Sequence, residues 1–451
     1  MQKTLIAALL TGAFFSLDAH AADLIQVYQQ ALANDAVYAS ARASQQAGLE
    51  RIPQGKAGLY PVIGATAGIT RNMGNIASGV GEVVTQPDGS SQVISSSGND
   101  YTTKQYTISL TQPLFRWDRW QTYQQSKLQE AISEAQFAQA QQDLITRVAQ
   151  AYFDVLGAQD TLESTRSQKE AVTEQLASAK RNFEVGTQTI TDTHEAQAAY
   201  DLVISQEFAA SADLENKRSA LLAIVGGDAV ALAPLRTGVA LASPQPAAIE
   251  PWLSAAQSQN YGVTVSELSL ESAKRDIERN RAGHLPTLDL VASNSRILNN
   301  GQVYNTSRTT GNAIGVSLNV PIFSGFAVTS RVRESIALED KARNDLEATR
   351  RNAVLGVRQA YLGVNSGLAQ VKALEAAEIS SQSALDSNKL GYQVGVRINI
   401  DVLNAQRQLY STQTQLSQAR YTTIMSGLRL KAAAGSLREA DLVPVNALLV
   451  R

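Results

Sequence analysis

A fifteen-residue pattern occurs twice in the chain, as Phe183–Gln197 (FEVGTQTITDTHEAQ) and Tyr392–Gln406 (YQVGVRINIDVLNAQ). In each copy a helical pattern runs into Val185-Gly186 or Val394-Gly395, crosses a few β-branched or polar residues, and resumes as helix at Asp192 or Asp401. A glycine just past a helix end supplies the left-handed conformation that closes the last turn, and an acid in the next first turn opposes the positive end of the helix dipole. Each copy therefore predicts the tip of an antiparallel helical hairpin. The offset is constant, 209 positions between Gly186 and Gly395 and between Asp192 and Asp401, so the chain is expected to be two halves of one architecture.

Other paired motifs obey the same division. Ala57-Gly58-Leu59-Tyr60-Pro61 is mirrored by Ala282-Gly283-His284-Leu285-Pro286, and after each proline the apolar period changes from helical to two. Ile63, Ala65, Ala67 and Ile69 form one face of the first strand, Leu288, Leu290 and Ala292 one face of its counterpart. Segments rich in Gly, Ser and Asn, Asn72 to about Thr103 and about Asn299 to Asn312, read as loops. Each leads to a second alternating strand, with Tyr106, Ile108 and Leu110 or Ile314, Val316 and Leu318 on the apolar face, ending at Pro113-Leu114-Phe115 or Pro321-Ile322-Phe323.

From about Asp118 to Asn182 and from about Val328 to Leu390 no proline occurs, which allows helices near 100 Å long at ~1.5 Å per residue. Leu144, Val148, Ala151, Tyr152 and Val155 form a coiled-coil seam, answered by Ala353, Val357, Ala360, Tyr361 and Val364. Shorter helices return from the tips to Gly226-Gly227 and Gly435, and Asp228–Pro251 and Ser436–Arg451 read as irregular connectors. Near the start, Asn34-Asp35 reads as a break and cap, and Pro53 should kink the next helix whereas its counterpart Glu278 should not. The expected organisation is a signal peptide over residues 1–21, a first repeat over 22–245 and a second over 246–451, each running helix, strand, strand, long helix, tip, helix.

Met1–Ala21 carries Lys3, an apolar run and the small-x-small Ala19-His20-Ala21 of a secretory cleavage site. No cysteine is present, which excludes a lipid-modified N-terminal Cys and any disulfide. A net charge of −2 gives no polycationic footprint for nucleic acid. Past the leader no stretch approaches the ~20 apolar residues of a membrane-spanning helix, so an exported chain of this kind is soluble or crosses the outer membrane as strands. Strands in lipid must close into a barrel, and single-chain barrels start at about eight strands. Four strands per chain thus imply several chains in one barrel, although periodicity alone also fits a soluble sheet. The mature chain's two histidines, His194 and His284, lie in different motifs, so no metal or nucleophile set can be assembled. With no phosphate-binding loop and no cofactor motif either, energy must come from a partner. The rival reading is a periplasmic or surface coiled-coil structural protein without a pore.

The two tips, the paired AG-x-x-P junctions, PLF and PIF, AYF and AYL on the long helices and the start DLIQVYQQAL resemble the TolC family of outer-membrane export ducts, over essentially the whole mature chain. The resemblance implies a mixed α and β fold. A homotrimer forms a twelve-stranded outer-membrane barrel, four strands per chain, embedded in lipid and continued as a long α-helical coiled-coil tunnel in the periplasm. It implies an exit duct for tripartite efflux or type I secretion, passive in itself and joined to an inner-membrane transporter by a periplasmic adaptor. A C-terminal extension of some relatives is expected to be lacking.

Thr189-x-x-Asp192 reads as a capping box, and Asp401 as a first-turn acid. The resemblance adds a second role for the latter, because the position matching Asp401 gives a carboxylate ring at the tunnel constriction. The position of a second ring is Asn404, so a single acidic ring is expected. The positions matching Thr191, Asp192, Tyr392 and Arg397 imply a network that latches the closed state. Gln175 matches a further link whose partner position here is Lys389. Val185-Gly186-Thr187 and Val394-Gly395-Val396 match the adaptor-docking tips.

Overall fold

The computed structural model describes residues 21–73, 82–94, 100–227, 231–300 and 307–450, and all but the last residue of the expected leader lies outside them. The chain divides into two compact units, one of Met1–Ala43, Gln136–Val263 and Thr349–Arg451, the other of Ser44–Ala135 and Thr264–Ala348. Two very long helices contribute to both. The first, Trp117–Glu184, has 68 residues and the second, Ala327–Gln393, has 67, each about 100 Å at 1.5 Å per residue.

The second unit is built on strands. In chain order they are β1 (Val62–Asn72), β2 (Glu82–Thr85), β3 (Ser91–Ile94), β4 (Tyr101–Phe115), β5 (Thr287–Asn300) and β6 (Ser307–Asn319). β1, β4, β5 and β6 form an antiparallel sheet in the order β1-β4-β5-β6, leaving β1 and β6 as edges. Directly opposed residues share a face, and the register aligns the expected apolar positions into rows. Ile63, Leu110, Ala292 and Ile314 make one row, and Phe115, Leu288 and Leu318 another. The opposite face is small and polar, with Gly64, Ser109, Ser293 and Ala313 in one row and Thr66, Thr107, Ser295 and Gly311 in the next. Among the described residues no helix is long and apolar enough to cross a membrane.

Three expectations need correction here. The segment Asn72–Thr103 is not all loop, since β2 and β3 form a separate hairpin within it. Its turn is closed by Gly89 at φ 82° and by Asp88, which accepts from the Ser90 amide at 3.0 Å. In the second half the strands also run further than expected, leaving residues 301–306 outside the described residues. Pro53 interrupts the helix outright instead of kinking it, the break falling at Glu50, just past the Leu49 carbonyl that a residue-53 amide would have met. The helix Ala36–Leu49 ends, and a new one, Arg51–Ala57, begins with Pro53 in its first turn, where no amide donor is required. Tyr261–Arg281, which carries Glu278, is continuous.

At the foot of β4 the register shifts between Pro113 and Phe115, a bulge that accommodates a residue with no ladder donor. Just beyond it Arg116 donates to both carboxylate oxygens of the nearly buried Asp289, at 3.1 and 2.6 Å. That bidentate pair fastens the strand-to-helix junction to β5.

The first unit is helical. In chain order the helices of the chain are α1 (Leu24–Asn34), α2 (Ala36–Leu49), α3 (Arg51–Ala57), α4 (Trp117–Glu184), α5 (Ile190–Val225), α6 (Glu250–Gln259), α7 (Tyr261–Arg281), α8 (Ala327–Gln393), α9 (Asn399–Ala433) and α10 (Leu442–Asn446), of which α3 and nearly all of α7 belong to the second unit. The α4 seam forms the main core. Leu144, Val148, Tyr152 and Leu156 pack against Leu24, Val27 and Tyr28 of α1 and against Met425 and Leu428 of α9. Phe153 stacks on Tyr421 with ring centroids 5.5 Å apart. The connectors are tied to this core, because the Tyr152 hydroxyl donates to the Ala233 carbonyl at 2.8 Å and Leu235 bridges to Leu449. The C-terminal connector is less irregular than expected, containing α10. Where α1 meets α2, Asp35 is buried, accepting from the Tyr38 amide at 2.6 Å and from both terminal nitrogens of Arg147 at 3.0 and 2.9 Å. The matching seam on α8 is thinner. Val357 and Val364 are buried, while Leu355, Leu362, Ile379 and Leu390 on the same helix are exposed.

Candidate functional site: the paired hairpin tips

Both tips close by the same backbone device. Gly186 and Gly395 have φ of 75° and 79°. The amide three residues past the helix end reaches back to the carbonyl five residues earlier, Thr187 to Asn182 at 2.8 Å and Val396 to Gly391 at 2.9 Å. The caps of the two returning helices differ. In α5 the Thr189 hydroxyl accepts from the Asp192 amide at 3.3 Å and the Asp192 carboxylate accepts from the Thr189 amide at 3.1 Å, the expected capping box. In α9 the equivalent cap is Ile398, which offers no side-chain acceptor.

The helices meet below the tips through two small apolar cores. Val172, Leu176 and Ala179 of α4 and Ala196 and Val203 of α5 enclose Leu403, whereas Leu385 of α8 packs with Val402 and Leu409. Neighbouring residues of α9 thus point into different hairpins. This helix is what binds the two copies together.

Polar contacts overlie these cores. Gln175 of α4 donates to the Asn399 side-chain oxygen at 2.5 Å, and the Asn399 amide group donates to the Asp192 carbonyl at 3.1 Å. Asn399 itself is completely buried. Gln188, in the first tip, donates to the Tyr392 hydroxyl. Arg397 lies 3.7 Å from Asp401, one turn along, with both side chains substantially exposed. Its stem crosses Gly391 so closely that a β-carbon there would stand 2.7 Å from Arg397 Cγ.

Of the expected latch residues, then, Tyr392 and Gln175 each join one hairpin to the other. Arg397 and Asp192 do not pair with each other within the chain, because each has a nearer partner on its own helix. Gln175 is linked to Asn399, not to Lys389. Thr191 is exposed on the first turn of α5, and Asn404 is exposed one turn beyond the half-buried Asp401. Val185, Gly186, Thr187, Val394, Gly395 and Val396 all lie at the exposed ends, and the three valines show most of their surface. Sequence reasoning missed Gln188, Gly391 and Asn399. The one signal for Asn399 was its repeat position, occupied in the first copy by Ile190, since a polar residue in an apolar slot implies a polar partner.

The arrangement is a set of weak, separable polar contacts between the two hairpins, with the Asp401 carboxylate in the second tip. The outer membrane efflux protein family matches the chain over residues 27–227 and 252–436. The outer membrane protein TolC of Vibrio cholerae is 35% identical, over 95% of this chain and 94% of its own. The alkaline protease secretion protein AprF of Pseudomonas aeruginosa is 32% identical, over 97% of this chain and 90% of its own. The solved CmeC outer membrane channel of Campylobacter jejuni shares the fold, with a TM-score of 0.77 at 18% identity over 95% of this chain and 90% of that one. The strands, the long helices and the paired tips are thus those of a known architecture, and the chain belongs to the outer membrane efflux protein family.

Proposed function

We propose that three copies close one twelve-stranded barrel, in which the two halves, 22–245 and 246–451, act as repeats around a common axis after removal of residues 1–21. The protein is an outer-membrane exit duct of the efflux and type I secretion kind. The observation that carries the assembly is the four-stranded sheet whose edges β1 and β6 have no strand partner among the described residues and whose one face is predominantly apolar over the rows nearer the helices. Unpaired backbone groups are untenable in hydrocarbon, so each edge needs the edge of a neighbour. The exposed Leu355, Leu362, Ile379 and Leu390 of α8 supply apolar surface for the same neighbour to cover.

Asp401 is assigned to the constriction of this duct, with Asn404 beside it as an uncharged ring. Tyr392, Arg397, Thr191, Asp192 and Gln175 are assigned to the closed state, where Arg397 of one copy is within the repertoire of Asp192 of the next. The exposed valines of the two tips are the docking points for a periplasmic adaptor that brings an inner-membrane transporter. The Pseudomonas relative is named for the secretion of a protease, and protein cargo is the reading adopted for this chain.

Cross-linking in mild detergent followed by planar-bilayer recording tests the assembly: a trimer with a small conductance is expected, and a monomer without conductance overturns it. Because the chain has no cysteine, Thr187→Cys provides a unique label at a tip. Cross-links from it to a co-expressed adaptor are expected, and their absence from a functional complex overturns the docking assignment.

A further inference from the structure

Every cation on the four strands of the main sheet lies on one face and toward one end. The pairing register puts Arg71, Lys104, Arg296 and Arg308, one per strand, on the same face as Ile63, Leu110, Ala292 and Ile314. Ile69, Lys104, Leu298 and Arg308 form one row, with Ala67, Tyr106, Arg296 and Thr310 in the row next to it on that face. The opposite face of these strands has no cation, and their one acid, Asp289, lies on that opposite face at the other end, held by Arg116. Arg71 is 3.6 Å from Asp100. Lys104, Arg296 and Arg308 form no ion pair among the described residues.

Distance places these cations at an interface. From Leu288 to Arg296 along β5 is about 27 Å, or about 20 Å of barrel height at a tilt near 40°. An apolar band of this kind is about 25 Å tall and is flanked by aromatic residues, here Phe115 at one end and Tyr106 at the other, with the paired amides of Asn294 and Asn312 marking the polar boundary just before the cations. A cation is costly at mid-membrane but costs almost nothing at the boundary. With adjacent strands ~4.8 Å apart, Lys104 and Arg308 stand about 10 Å from each other across Leu298, with Arg296 between them and one row nearer the apolar band. The strand ends bearing this cluster are those remote from the long helices, and so meet the outer leaflet.

We infer that Lys104, Arg296 and Arg308 form a lipid-facing binding site for the phosphate groups of a phosphorylated glycolipid in the outer leaflet, one site per chain. The inference rests on the barrel reading above. Three unpaired cations beside an apolar band match an amphiphile whose phosphates sit directly above its acyl chains, and Arg binds phosphate oxygens through two nitrogens at once. A soluble anion would make no use of the apolar rows. The site would anchor the barrel at a fixed depth and orientation.

The test uses the full-length protein in nanodiscs of zwitterionic lipid doped with a phosphorylated acyl-disaccharide or with its dephosphorylated form, read by native mass spectrometry. The wild type is expected to retain the phosphorylated lipid and not the other. Lys104→Gln, Arg296→Gln and Arg308→Gln together should weaken retention roughly a hundredfold, several-fold per cation. Equal retention of both lipids by the wild type overturns the site and needs no variant at all. So does undiminished retention by a triple variant, or displacement of the lipid by inorganic phosphate. Trimer content and conductance of the same samples report separately on the barrel, so a failed barrel and a failed lipid site give different results.

Discussion

The side chain of Asn399 donates to the main-chain carbonyl of Asp192 at 3.1 Å, joining the first turn of α9 to the first turn of α5 from a position with no solvent access. The same side chain accepts from Gln175. Asn399→Leu should therefore free both partners at once, at about 1–3 kcal/mol for buried groups left unpaired. Faster amide exchange over Asp192–Ala196 and a larger single-channel conductance are expected from a trimer that still assembles. Unaltered exchange would mean that the apolar contact of Leu403 alone holds α9 to the first hairpin.

In the proposed duct Asp401 and Arg397 should act in opposite senses on permeating ions. Asp401→Asn should reduce cation preference, because converging carboxylates concentrate cations and salt screens the effect. Arg397→Ser should raise both conductance and cation preference, since it removes a guanidinium 3.7 Å from Asp401 as well as a latch donor. The exposed pair is itself worth only ~0–1 kcal/mol, so trimer stability should not move. Reversal potentials under a salt gradient measure the preference, and a Ser variant with wild-type selectivity would place Asp401 away from the ion path.

Tyr392→Phe removes the acceptor for Gln188 and nothing of the ring's packing against Leu385 and its neighbours. Combined with Arg397→Ser it should enlarge the pore beyond either single change, because small contacts act on one closed state. A double variant with the conductance of the wild type would leave closure to the coiled-coil seam.

Acid should loosen the first unit at Asp35. Its burial favours the neutral acid, but the Arg147 guanidinium and the Tyr38 and Val37 amides outweigh that and hold the carboxyl below its usual range. A depressed folded-state value means that the stabilisation is complete above the unfolded value of about 4 and is lost as pH falls through the folded one. Asp35→Asn should lower stability at neutral pH by about 1.5–3 kcal/mol, with the gap to wild type closing in strong acid. Thermal melts of both proteins at neutral and low pH decide it, and a gap that persists in acid would assign the loss to packing.

The tips, their caps and the two faces of the strands were legible because each depends on local chemistry: Gly186 and Gly395 at positive φ, Thr189 with Asp192, alternation from Ile63 to Ile69. The β2–β3 hairpin was hidden by its setting, a long stretch of Gly, Ser and Asn in which Pro87-Asp88-Gly89 was one turn signal among several, Ser78-Gly79 and Ser97-Gly98 included. Pro53 was read as an interior residue because the sequence does not announce that Glu50 starts a new helix. Asn399 and Gln188 were missed for a deeper reason. Their partners are more than 200 residues away, and only the folded α9 brings them together. Arg397 was given its long-range partner by analogy, and nothing in its spacing ruled out Asp401 one turn away.

The two copies of the tip differ at one atom that matters mechanically. Thr189 holds the first turn of α5 with a side-chain oxygen, and Ile398 cannot do the same for α9. In a ring built from three chains, stiff and compliant tips would then alternate around the mouth. Under load the compliant set would yield first, so the proposed aperture would dilate with threefold instead of sixfold symmetry and the stiff set would remain as a fixed rim.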